Sequence, residues 1–229
     1  MEIIENKNNE IKIKKIDMTC DSSKYAIDSL KLKYNFFMII NGAPNSGKTN
    51  LLINLITEKE LLKKKFDKIF LYSPSMHTIN RKIHLTKKQI FENINFDELE
   101  EQLIYCKEMM KINNDFHTLF IFDDMVNKFK KNQRIIKKMI MNRRHHNISI
   151  IMITQRYNLI PLEIRTQLSH LITFKMNKRE LYEIYDELFN IKKEQYEAII
   201  NYIFNEKYVF MLYDNINNKI YKNFNLLNF

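Results

Sequence analysis

Only two glycines occur in the 229 residues, and both lie in the single stretch 36–55, FFMIINGAPNSGKTNLLINL. Within it Gly42, Gly47, Lys48 and Thr49 take the fixed positions of G-x-x-x-x-G-K-T, the pattern of a phosphate-binding loop. Elsewhere the chain turns on asparagine and lysine. Keeping glycine at these two places marks a backbone that needs either a left-handed angle or a closeness that a Cβ forbids. The β-forming run 36–40 leads into the loop, and Leu51, Leu52, Leu55 and Ile56 leave it at helical spacing. Strand, loop and helix in that order give an α/β fold class.

The loop's chemistry follows from that order. Residues Gly42, Ala43, Pro44, Asn45, Ser46, Gly47, Lys48, Thr49 and Asn50 form the expected cradle, in which every residue but Pro44 can offer a backbone N–H and Pro44 stiffens the turn. The helix N-terminus adds its positive dipole end. Lys48 is placed to reach the β- and γ-phosphates of ATP, and Thr49 to hold Mg²⁺. About 75 residues later comes TLFIFDDM (118–125), an apolar strand that delivers two carboxylates at its carboxyl end. Asp123 is expected to bind Mg²⁺ through its water shell, and Asp124 to orient or deprotonate the attacking water. A third apolar run, ISIIMIT (148–154), ends in Thr154 and Gln155, and a polar group at that strand tip suits sensing the γ-phosphate or placing water.

The remaining segments frame these motifs. DKIFLY (67–72) reads as a strand broken by Ser73, Pro74 and Ser75, a turn on the ligand side of a parallel sheet. Lys63 to Lys65 read as the cationic end of the helix after the loop. Residues 97–112 read as a helix with Leu99, Leu103, Ile104 and Met110 inward, and 128–142 as one basic amphipathic helix with Phe129, Ile136, Met139 and Ile140 inward. Asn177 caps a helix over 177–190, another helix follows over 192–204, and the tail forms a β-hairpin about NINN. Ile11, Ile13 and Ile16 alternate with Lys12, Lys14 and Lys15 as in a half-exposed strand, a pattern also open to reading as a polybasic arm. The expected division is an N-terminal strand-containing extension over 1–30 and an ATPase domain over 31–229.

Composition narrows the partners. A formal net charge of +10 suits a polyanion, although an A/T-rich coding sequence also enriches lysine. Cys20 and Cys106 form no C-x-x-C motif, which points to free thiols in a reducing compartment. No apolar run reaches the ~20 residues of a membrane span, so a soluble chain is expected. Adjacent His145 and His146 lack the further ligands of a metal site.

GAPNSGKT, LFIFDDM and RRHHNISIIMITQ, followed by a proline and Arg165, together resemble the FtsK/HerA superfamily of DNA-pumping ATPases, and within it the poxvirus-type genome-packaging ATPases of large DNA viruses and virophages. The resemblance spans residues 33–175, and its most specific part is RHHNISII-x-ITQ placed after the paired acids. It implies a RecA-like, additional-strand P-loop fold with a mainly parallel sheet, Gln155 as sensor, and Arg144 or Arg165 as a finger supplied to a neighbour's ATP. It implies a homo-oligomeric ring, pentameric or hexameric, that drives double-stranded DNA into a preformed capsid at a portal vertex. The setting it implies is the host cytoplasm at sites of virus assembly or the virion. Many superfamily members carry Asp-Glu where this chain has Asp123-Asp124, and no separate DNA-reading domain is evident. Lys128, Lys130, Lys131 and Arg156 are the basic residues placed for phosphate contacts along DNA. Two other readings stay open: a nucleoside or small-molecule kinase, which needs an acceptor substrate, and a non-hydrolysing nucleotide-gated DNA-binding or assembly protein.

Overall fold

The structure is a computed structural model that describes residues 24–75 and 85–228. The strand expected around Ile11 to Ile16, and Cys20, lie outside the described residues. The chain first makes a short antiparallel pair, β1 (Tyr25–Ile27) and β2 (Leu32–Lys33). The boundary expected between residues 30 and 31 falls inside this pair, whose Ala26, Ile27 and Leu32 are buried in the main body.

A nine-stranded sheet carries everything else. Its strands are β3 (Phe37–Asn41), β4 (Lys68–Tyr72), β5 (Ile90–Phe91), β6 (Thr118–Asp123), β7 (Ile148–Thr154), β8 (His170–Phe174), β9 (Phe210–Asp214), β10 (Lys219–Lys222) and β11 (Asn225–Leu226). The spatial order is β11-β10-β9-β8-β3-β7-β6-β4-β5, with β3 to β8 mutually parallel and β9 to β11 added antiparallel. The fold is therefore α/β with a mainly parallel sheet and a C-terminal hairpin. β7 lies between the loop strand β3 and the acid-bearing β6.

Alternation in the central strands sends side chains into two cores, because successive Cβ atoms point to opposite faces. Phe37 and Ile39 join Phe120, Phe122, Ile150 and Met152 on one face, while Met38 and Ile40 join Leu119, Ile121, Ile151 and Ile153 on the other. The first face is covered by α2 (Phe96–Ile112), α3 (Gln133–Asn142), α5 (Lys178–Leu188) and α6 (Lys193–Ile203), the second by α1 (Lys48–Thr57). A single turn, α4 (Leu162–Arg165), leads into β8. Asn177 caps α5 by accepting from the Glu180 N–H at 3.0 Å, as its position predicts.

Three local expectations are corrected. Helix α1 stops at Thr57, so Lys63 to Lys65 lie in the turns beyond it, where Lys64 takes φ 57°. Ile104 is 57% exposed, and α2 instead buries Leu99, Gln102 and Cys106, the face that meets Tyr72 and Thr118. The basic segment 128–142 is broken at Asn132 into a 3-10 turn (Val126–Lys131) and α3, although Phe129, Ile136, Met139 and Ile140 are all buried as their spacing required. Asparagine takes the left-handed turns that glycine takes in other chains, at Asn35, Asn45, Asn147, Asn218 and Asn223.

Candidate active site

The carboxyl ends of β3, β6 and β7 meet at one edge of the sheet, and the motif residues meet there with them. Gly47 takes φ 107°, which opens the loop into α1 and which side-chain-bearing residues rarely adopt. Gly42 serves closeness: a Cβ there would stand 2.7 Å from Ser46 Oγ and 2.8 Å from Phe174 Cβ. Both glycines read from composition are thus required, for different reasons.

Lys48 is buried, and its ammonium donates to the carbonyls of Gly42 at 2.7 Å and Ala43 at 2.8 Å. Burial lowers its pKa, against the opposing pull of Asp124 and Asp123. Asp123 is buried at the tip of β6, and burial raises its pKa; the Ser73 hydroxyl, donating at 2.8 Å, works the other way. Ser73 is the residue that motif reasoning missed. Its signal was the register: Tyr72 pairs with Phe122, so the next residue of each strand, Ser73 and Asp123, stand side by side.

Asp124 faces outward because its backbone turns left-handed, at φ 51°, while its N–H still bonds to the Ile153 carbonyl at 3.1 Å. Gln155 Nε2 donates to Asp124 Oδ2 at 3.3 Å. Asp124, Asn127, Thr154, Gln155 and Arg156 line a cavity of about 190 Å³, room for several waters at about 30 Å³ each. Asp124 in the left-handed region is a strained placement of the kind that gathers at functional sites.

The donor set fits a magnesium nucleotide. Ser46 Oγ, buried in the loop, has no partner among the described residues, as a group kept for a phosphate oxygen would. Thr49 begins α1 beside Lys48, and with Asp123 it offers the hard oxygen donors that Mg²⁺ takes.

The two arginines separate. Arg165 is held within the chain: Nη2 lies 2.9 Å from Glu187 Oε2, Nε donates to Glu187 Oε1, Nη1 donates to the Ile160 carbonyl, and the guanidinium covers the Tyr157 ring. Arg144 is exposed in the 3-10 turn Arg143–His146 that precedes β7, at the opposite edge of the sheet from Gln155. Seven residues of strand separate those edges, roughly 20 Å. Its neighbour Arg143 is structural, buried and donating to the carbonyls of Asn35, Ile140 and Gln167. Arg156 pairs with Glu180 at 3.2 Å, Lys128 is exposed, and Lys130 and Lys131 close the 3-10 turn before α3.

The fold is shared with solved structures. B204, the DNA-packaging ATPase of Sulfolobus turreted icosahedral virus, superposes with a TM-score of 0.61 over 83% of this chain and 97% of its own, at 20% identity. The genome packaging NTPase B204 of Sulfolobus turreted icosahedral virus 2, in complex with ATP-gammaS, gives 0.59 over 84% and 98%, at 21% identity. In sequence, the DNA packaging protein OPG160 of variola virus is 30% identical over 173 residues, 70% of this chain and 60% of that protein. OPG160 of vaccinia virus (strain Western Reserve) gives the same identity and coverage. The chain thus spans about 60% of the length of these curated relatives. The profile of the family described as Poxvirus A32 protein matches residues 22–227, taking in every motif of the site, and the chain belongs to that family.

Proposed function

We propose that this chain is an ATP-hydrolysing motor that drives double-stranded DNA into a preformed viral capsid. The observation that carries the reading is Gln155: it directly follows β7, the strand between β3 and β6, and bonds to Asp124, an arrangement for holding water in line rather than for admitting a phosphate acceptor. The OPG160 relatives are named for DNA packaging, which supports the coupling of that hydrolysis to DNA.

In this reading Lys48 neutralises the β- and γ-phosphates, and the loop N–H groups and α1 hold the rest of the phosphate chain. Thr49 and Asp123 hold Mg²⁺, which when bound neutralises charge on the phosphate oxygens. Asp124 and Gln155 orient the attacking water, and Asp124 takes its proton. Arg144 serves a neighbouring subunit's ATP in a homo-oligomeric ring, since it lies too far from its own site to act there; Arg165 positions the segment behind Gln155. DNA contacts are to phosphates, with the capsid vertex as the docking partner at sites of virus assembly. None of the described helices is long and apolar enough to cross a membrane.

ATP turnover with and without long duplex DNA, over a range of salt, tests the reading. The expected result is turnover that DNA stimulates, with stimulation lost steeply as salt rises. Turnover that requires a small-molecule acceptor would make the chain a kinase, and binding without turnover would make it a nucleotide-gated assembly protein.

A further inference from the structure

The terminal phosphate must face Asp123, Asp124 and Gln155, which lie on the β7 side of β3. A nucleotide in the loop therefore extends its nucleoside the other way, over the end of β8. There a cavity of about 630 Å³ opens between the first turns of α1 and the C-terminal hairpin, lined by Gly47, Asn50, Phe174, Tyr208, Asn223 and Phe224. Its size falls in the range of small-molecule sites, roughly 300–1,000 Å³.

Tyr208 is the unusual residue of that wall. It takes φ 65°, where asparagine and glycine are at home and a bulky side chain is a rare outlier. It is also 70% exposed, so no burial of its ring compensates the strain. Its Cδ1 stands 3.5 Å, and Phe174 Cε1 3.4 Å, from the point a Cβ on Gly47 would occupy. Phe174 is buried and forms the floor, backed by Phe210, which in turn meets Phe224. Strain held at an exposed aromatic beside a phosphate loop is a sign of function.

We propose that Tyr208 is the nucleobase clamp of this site, stacking a purine base against the aromatic wall beside Gly47. The proposal rests on the nucleotide reading of the loop and adds the residue that recognises the base. Aromatic rings stack every base, and the larger purines gain most, so the cradle favours ATP and GTP over CTP.

Equilibrium binding of ATP, CTP and inorganic tripolyphosphate to the full chain tests it, with Tyr208→Phe, Tyr208→Ala and Tyr208→Gly. Tyr208→Ala is expected to weaken ATP roughly tenfold while tripolyphosphate stays within about twofold. Tyr208→Phe keeps the ring and is expected to keep ATP affinity. Tyr208→Gly is expected to raise the melting temperature, because glycine accepts φ 65° freely, while losing ATP affinity as Ala does. Gain in stability with loss of ATP is a pair of signs that a purely structural tyrosine does not produce. Unchanged ATP affinity in Tyr208→Ala, or an equal loss of ATP and tripolyphosphate, overturns the clamp and leaves the phosphate loop standing. Wild-type chain that binds neither ATP nor tripolyphosphate overturns the nucleotide site and the clamp with it.

Discussion

The loop strand β3 has two neighbours, and the flanks they form are made of opposite materials. On the β7 side stand Asp123, Asp124, Gln155 and Ser73, polar groups that hold one another at hydrogen-bond distances. On the β8 side stand Phe174, Phe210, Phe224 and Tyr208, rings in contact or around one cavity. The first flank can stabilise developing charge, and the second can only bind. Substitutions on the β7 flank should therefore change turnover, and those on the β8 flank should change affinity.

Lys48 stands where the flanks meet and provides the largest effect. Lys48→Ala is expected to abolish measurable ATP turnover, because it removes a buried cation held inside the loop. Retained turnover in the purified variant would break the division at its root. In the proposed ring, Arg144 would extend the β7 flank across a subunit boundary. Arg144→Ala is expected to cost about a thousandfold in turnover per folded chain of the assembled protein. Mixing Arg144→Ala chains with Lys48→Ala chains should restore part of it, since each supplies what its neighbour lacks. A residue acting on its own ATP gives no such rescue.

How far each flank was legible in the sequence follows from the same difference. Hydrolysis demands particular residue types at particular chain positions, so GKT after a strand, two acids at a strand tip and Gln155 at the next tip declare themselves. The aromatic flank has no such grammar. Phe174, Tyr208 and Phe224 lie far apart in a chain with 16 Phe and 12 Tyr, and only the antiparallel pairing of β8, β9 and β10 gathers them. Nothing in NEKYVF announces a left-handed tyrosine. The Ser73 turn was placed on the ligand side from its position after a strand, but its bond to Asp123 depends on the β4–β6 register, which composition does not carry. The Arg165 position was visible and its engagement was not, because Glu187 lies on a helix that reaches it only through packing.

Arg165 and Asp123 test the β7 flank as structure. Arg165 and Glu187 are 13% and 20% exposed, and Glu187 also accepts from the Tyr157 hydroxyl. Arg165→Ala is expected to destabilise the fold by about 3 kcal/mol in denaturant unfolding, since it strands a half-desolvated carboxylate. Turnover per folded chain should fall far less than in Arg144→Ala, and an equal fall would return Arg165 to the role of finger. For Asp123 the sign runs the other way. Its pKa is raised in the fold, chiefly by burial, so the native state binds the proton more tightly than the unfolded chain does. Its contribution to stability therefore falls as pH rises from the unfolded carboxylate value through the folded one, and at neutral pH the buried charge is a cost. Asp123→Asn, which can still accept from Ser73, is expected to stabilise the chain by about 1 kcal/mol at pH 7 while ending turnover. The stabilisation should vanish in acid, and a variant less stable at pH 7 would contradict the burial argument.

The smallest effect belongs to Arg156, the residue after Gln155. Helix α5 presents Glu180, Glu183 and Glu187 along one side, and they hold Arg156, Asn158, and Tyr157 with Arg165 respectively. The whole segment behind Gln155 is thus gripped by acids from one helix. Arg156 is 58% exposed, so water screens its pair with the largely buried Glu180 and the pair is worth about 1 kcal/mol or less; Arg156→Ala should leave stability little changed. With its guanidinium turned to Glu180, the variant should also leave the salt dependence of DNA binding unchanged, and lower basal turnover by about twofold through a looser Gln155. A salt slope reduced by about one would instead put the guanidinium on a DNA phosphate. The β7 flank would then carry the track as well as the chemistry, and Glu180 would be the carboxylate that competes with DNA for Arg156.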